Sequence, residues 1–107
     1  MALCYLLIVE GKTDRAQLAT IVPKTIPIIC TNGTKDEEAL LDLLESHEQY
    51  DFVTLFDADR NGEKLRKIMN RIYPEAIQII IPVQYKEVAE TPVNVLKQLL
   101  QKHKIVE

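Results

Sequence analysis

Apolar positions recur along this chain in two alternating rhythms. Residues 4–9 are a continuous apolar run with β-branched members, which predicts a strand buried on both faces. Residues 14–22 carry Leu18, Ile21 and Val22 as a helical stripe, with Thr13 as the expected N-cap. Pro23 and Pro27 bracket a short connection into a second strand over 26–30, closed by Thr31-Asn32-Gly33-Thr34. A helix over 36–47 turns Leu40, Leu41, Leu43 and Leu44 inward, and a third strand covers 52–56. In the helix predicted over 61–72, Leu65, Ile68, Met69 and Ile72 fall at i, i+3, i+4 and i+7, one face of the cylinder, and Pro74 stops it. A fourth strand over 77–81 leads through a loop, 82–91, to a last helix with Thr91 capping and Pro92 at its first position.

The resulting order, β-α four times with short connections, requires a parallel sheet with helices on both faces. The fold class is α/β: a three-layer, Rossmann-like architecture around a four-stranded parallel sheet. At 107 residues, 47% of them apolar, the chain is expected to form a single domain over 1–107. Cys4 and Cys30 fall in predicted buried strands and read as small core residues, not as a disulfide or zinc site. No charged leader and no membrane-length apolar stretch is present, so the expected home is cytoplasmic and reducing.

The net charge is −3, but residues 36–51 hold seven acids and no base, while residues 60–71 hold five bases against Glu63. Such asymmetry orients anionic ligands, although two ordinary solvated helix faces would look the same. The sharper signal is positional. Glu10 closes the first strand and is followed by Gly11-Lys12-Thr13-Asp14; Asp57-Ala58-Asp59 closes the third and is followed by Arg60-Asn61-Gly62-Glu63. Ligands of open parallel sheets bind at the carboxyl ends of the strands. Three carboxylates there need a positive partner, and the hard-oxygen set Glu10, Asp57 and Asp59 suits Mg²⁺, with Mn²⁺ as a substitute. Each acid taken alone is more simply a helix cap. Lys12 could reach a phosphate at that edge or equally pair with Asp14 on the surface, and Arg60, Lys64 and Lys67 could steer a nucleic-acid backbone. Asn32-Gly33 offers backbone to a ligand, though a plain turn using glycine's freedom explains it better.

The strings Leu7-Ile8-Val9-Glu10-Gly11-Lys12-Thr13-Asp14 and Phe56-Asp57-Ala58-Asp59-Arg60-Asn61-Gly62-Glu63 resemble the two signature motifs of the Toprim domain, shared by topoisomerases, bacterial primases, recombination mediators and a ribosomal-RNA maturation ribonuclease. The likeness is to small free-standing bacterial Toprim proteins and to the Toprim part of that maturation ribonuclease, and it covers nearly the whole chain. It implies that Glu10 is the general acid or base, with Lys12 a weaker catalytic candidate. Asp57 and Asp59 correspond to the Mg²⁺-binding pair, Gly62 to the turn glycine and Gly11 to the glycine after the catalytic Glu. It also implies a Mg²⁺-dependent enzyme making or breaking phosphodiester bonds in DNA or RNA, nuclease-like in a lone domain. No separate nucleic-acid-holding domain is expected here, so the expectation is either a protein partner supplying that grip or action on a small substrate. The alternative is a non-enzymatic module that holds nucleic acid or protein with the same edge. A phosphoacceptor domain like a response-regulator receiver fits less well, because only Glu10 follows the first strand and only four strands are predicted.

Overall fold

The computed structural model describes residues 4–34 and 36–107. Four parallel strands, β1 (Tyr5–Val9), β2 (Ile28–Cys30), β3 (Asp51–Thr54) and β4 (Ile77–Gln78), form one sheet in the order β2-β1-β3-β4. Leu7 registers with Ile28 on one side and Val53 on the other, and Val53 registers with Ile77. Four helices, α1 (Lys12–Ala19), α2 (Glu37–Leu44), α3 (Arg60–Ile72) and α4 (Val93–Lys102), alternate with the strands.

Strand side chains alternate between faces, so a strand covered on both sides must be apolar at every position. Leu7 and Val9 of β1 pack with Val53 of β3 against Leu18, Leu96 and Leu100, the layer of α1 and α4. Leu6 and Ile8 pack with Phe52 and Phe56 against Leu40, Leu44, Leu65, Ile68 and Met69, the layer of α2 and α3. The three-layer expectation holds.

Element ends shift for local reasons. Helix α1 starts at Lys12, not after Thr13, because Gly11 is the N-cap and Asp14 reaches back to its N–H. Helix α2 stops at Leu44, and residues 45–47 tighten into a 3₁₀ turn. The fourth strand keeps its alternation to residue 81, with Ile79 and Ile81 buried and Ile80 exposed, but its ladder covers only Ile77–Gln78 on this sheet edge. Pro92 caps α4, while the buried Thr91 donates its hydroxyl to the Glu87 carbonyl. Cys4 is exposed and precedes β1, so it is not a core residue; Cys30 is buried as expected. Among the described residues no helix is long and apolar enough to cross a membrane.

Candidate active site

The order of the sheet places the site. The chain runs outward from β1 to β2, then returns across β1 to β3, so the winding direction reverses between β1 and β3. The carboxyl ends flanking such a reversal form the natural ligand crevice of an open α/β sheet. Glu10 and Asp57 lie on its two sides, and they touch. Glu10 Oε2 accepts the Asp57 backbone N–H at 2.7 Å, and Oε1 accepts Asn61 Nδ2–H at 2.7 Å. Asp59 is the N-cap of α3, with Oδ1 accepting the Gly62 N–H at 2.8 Å. Asp57 Oδ1 accepts the Val88 N–H at 2.8 Å, and the Asp57 carbonyl accepts from the Arg66 guanidinium at 3.0 Å.

Gly62 has a role that a turn does not explain. It lies in the first turn of α3, and a Cβ there would stand 1.9 Å from the Asp57 carbonyl oxygen. The glycine lets the helix start pressed against the backbone of the acidic turn. Gly33 and Asn32 do occupy left-handed conformations, φ +85° and +50°, and the Thr34 N–H closes onto the Thr31 carbonyl. The plain-turn reading fits this pair, with one addition: the Asn32 N–H bonds the Glu10 carbonyl. Lys12, Arg60 and Lys64 are exposed at the start of their helices, and Lys67 pairs with Glu63 on the surface at 3.5 Å.

The segment after β4 straps the site. The Lys86 carbonyl accepts the Ala58 N–H at 2.6 Å, between the two aspartates. Lys86 itself is left-handed, φ +62°, at the centre of a three-residue turn closed by the Glu87 N–H on the Tyr85 carbonyl. A lysine in that conformation costs roughly 1–3 kcal/mol, offset by the bonds that hold the loop. Through Thr91 the loop is also tied to Gln17 of α1.

Four residues here were not singled out by sequence reasoning. Asn61 stands inside a motif string with nothing local to mark it. Asp14, 6% exposed, appeared there only as a surface partner for Lys12; its position at the third residue of a helix opened by glycine was the signal. Arg66 was counted only as part of a basic face. Val88 contributes a backbone N–H, which leaves no side-chain signature.

The acids are crowded. Burial pushes the Asp57 carboxyl up from 3.8 to about 6; the Val88 N–H opposes this, and the charges of Glu10, Asp59 and Glu87 add to it. Asp14 is likewise raised, by burial and then by Asp57. Because the folded value of Asp57 lies above the unfolded one, its stabilising contribution is present below pH 3.8 and lost as pH rises through about 6. Asp57→Asn, which keeps an oxygen for the Val88 N–H, is therefore expected to be more stable than wild type at pH 7–8 and no more stable below pH 3.8. The full shift is worth about 3 kcal/mol, and solvent screening reduces the expected gain to about 1–2 kcal/mol. Urea midpoints across pH 3–8 check this; a gain that does not grow with pH would sink the assignment.

The donors suit a hard cation, but not as a three-carboxylate cage. Among the described residues no three acidic, histidine or cysteine side chains are gathered into a metal-binding group. Glu10 has both oxygens on protein donors, while Asp57 and Asp59 each commit one oxygen and keep Oδ2. Mg²⁺ is commonly held by one or two carboxylates, with waters and substrate phosphates completing the octahedron. The pair Asp57 and Asp59 fits that pattern; Glu10 stands beside it.

The family model described as Toprim-like matches residues 7–91. The chain is 41% identical over 86 residues to the uncharacterized protein YusF of Bacillus subtilis (strain 168), a match covering 80% of this chain and 59% of YusF. It thus spans well under two thirds of that curated relative. Among solved structures it resembles a small TOPRIM domain protein from Bacillus stearothermophilus, with TM-score 0.88 and 38% identity, over 97% of this chain and 88% of that one.

Proposed function

The chain belongs to the Toprim-like family, and from that premise we propose that it is a divalent-metal-dependent enzyme acting on phosphodiester bonds of DNA or RNA, nuclease-like in direction. The observation that carries the reading is the contact between Glu10 and the Asp57–Asp59 turn at the reversal point of the sheet. In this reading residues 1–107 work as one Toprim unit in the cytoplasm, with a protein partner adding grip on the nucleic acid.

Asp57 and Asp59 would hold Mg²⁺ or Mn²⁺ through their free oxygens. Bound there, the cation supplies charge neutralisation at a phosphate and stabilises a departing oxygen. Glu10 takes or returns the proton of a hydroxyl or water at the same edge. Burial first, and then the like charges of Glu10, Asp59 and Glu87, raise Asp57, and a cation there would relieve the charge part of that cost, which supports the metal reading. Arg60, Lys64 and Lys12, exposed at the starts of α3 and α1, neutralise backbone phosphates on either side. Gly11 and the Asn32-Gly33 turn line the edge with backbone. A second reading, binding without turnover, draws on the lack of three gathered ligands among the described residues.

A calorimetric titration with Mn²⁺ and Mg²⁺ tests the proposal, run on wild type and on Asp57→Asn/Asp59→Asn with and without a short single-stranded oligonucleotide. Saturable binding in the wild type, lost in the double variant, is expected. No metal-dependent heat even with oligonucleotide present would end the metal-enzyme reading. Metal-dependent capture without cleavage would favour the binding module.

A further inference from the structure

We infer that Asn61 is a positioning residue, which acts through Glu10 to fix its carboxylate against the Asp57–Asp59 turn. The inference deepens the enzymatic reading above and rests on it. A glutamate side chain has three rotatable bonds, and a single donor leaves its carboxylate free to turn. Here each oxygen has its own donor, both at 2.7 Å and from different places: the Asp57 backbone and the Asn61 amide. Two attachment points fix the carboxylate plane as well as its location. A carboxylate facing two N–H groups has only acceptors to offer, so chemistry orients the Asn61 amide with its NH₂ toward Glu10.

Asn61 is not there for the helix. Asp59 already caps α3 through the Gly62 N–H, and Asn61 stands at the second position of the first turn. Asparagine is a mediocre helix former, and an acid is favoured at that place by the helix dipole. The absent Cβ of Gly62 lets this first turn press against Asp57, which brings the amide to Glu10.

These facts make Asn61→Asp discriminating. If Asn61 served only the helix, a carboxylate of the same shape at the second position would leave the protein as stable or more so. If it positions Glu10, the new carboxylate faces an old one and the Glu10 bridge to the Asp57 N–H fails. Adding Glu10→Gln then restores a matched pair, with the Gln amide donating to the Asp and its oxygen still accepting from Asp57.

The experiment follows native-state hydrogen exchange of the Asp57 amide in wild type, Asn61→Asp, Glu10→Gln and the double variant. Asn61→Asp is expected to speed exchange by about tenfold or more, and the double variant to return it to about the Glu10→Gln value. On a phosphodiester substrate, Asn61→Asp should lower kcat by about 100-fold, with KM and Mn²⁺ affinity within about twofold. Unchanged exchange in Asn61→Asp, or no restoration in the double variant, overturns the inference. Should Asn61→Asp fail to fold, Asn61→Ala replaces it; faster Asp57 exchange that Glu10→Gln does not rescue supports the inference, and unchanged exchange overturns it. A wild type with no turnover ends the enzymatic reading, and exchange alone then decides whether Asn61 holds Glu10.

Discussion

Glu10→Gln is expected to fold, to bind Mn²⁺ and to lose turnover by about 10³-fold on any phosphodiester that the wild type cleaves. The structure makes this a clean substitution. The Asp57 N–H and the Asn61 amide each donate to a Glu10 oxygen, and a glutamine has one oxygen left. It keeps the Asp57 N–H, and Asn61 turns its own amide to accept from the new NH₂. The local fold therefore survives while the proton acceptor is gone. Asp57 also loses one of the like charges that raise it, so its carboxyl titrates below about 6 in the variant. Turnover, Mn²⁺ calorimetry and carboxyl NMR read these outcomes separately. Wild-type turnover in Glu10→Gln would remove Glu10 from the chemistry.

Gly62→Ala is expected to destabilise the fold strongly, although it adds a single methyl group. Its Cβ would lie 1.9 Å from the Asp57 oxygen, 2.9 Å from its carbonyl carbon and 3.1 Å from its nitrogen. These are backbone atoms, and no side-chain rotation relieves the clash. Either α3 lifts Leu65, Ile68 and Met69 off Leu6, Ile8, Phe52 and Phe56, or the Asp57–Asp59 turn moves away from Glu10. A loss of about 3 kcal/mol is expected, at the upper end of overpacking costs. Gly11→Ala is the matched control: the nearest atom to its Cβ is Asp14 Oδ2 at 3.8 Å, ordinary contact, so its urea midpoint stays near wild type. Equal midpoints for the two variants would refute the close-approach account of Gly62.

The two substitutions show where sequence reasoning reached and where it stopped. Gly62 stood out as a special glycine in its string, but it was read as a turn residue. Its role is a contact with a residue five positions back, visible only when the helix is laid against that backbone. Asn61 lay beside it unremarked, because a hydrogen bond to a residue 51 positions away leaves no local trace. Asp14 looked like a surface helix residue, and Lys86 gave no hint of its left-handed backbone. Cys4 and residues 79–81 share the apolar run of their strands but lie outside the paired register, because apolar character alone does not mark where a strand ends.

The four strands, the helices between them and the carboxyl edge on which Glu10, Asp57 and Asp59 stand were legible in the chain. Periodicity is local: a run apolar at every position is a strand covered on both faces, and parallel connection sends all strand ends to one side. Tertiary structure alone decided that β1 lies between β2 and β3, that Glu10 therefore meets Asp57 from 47 residues away, and that its two oxygens are taken by Asp57 and Asn61. Strand order emerges from how two helical layers pack on one sheet, and no single segment encodes it. The same packing sets the Asp57–Asp59 turn beside a Glu10 carboxylate that has a donor on each oxygen.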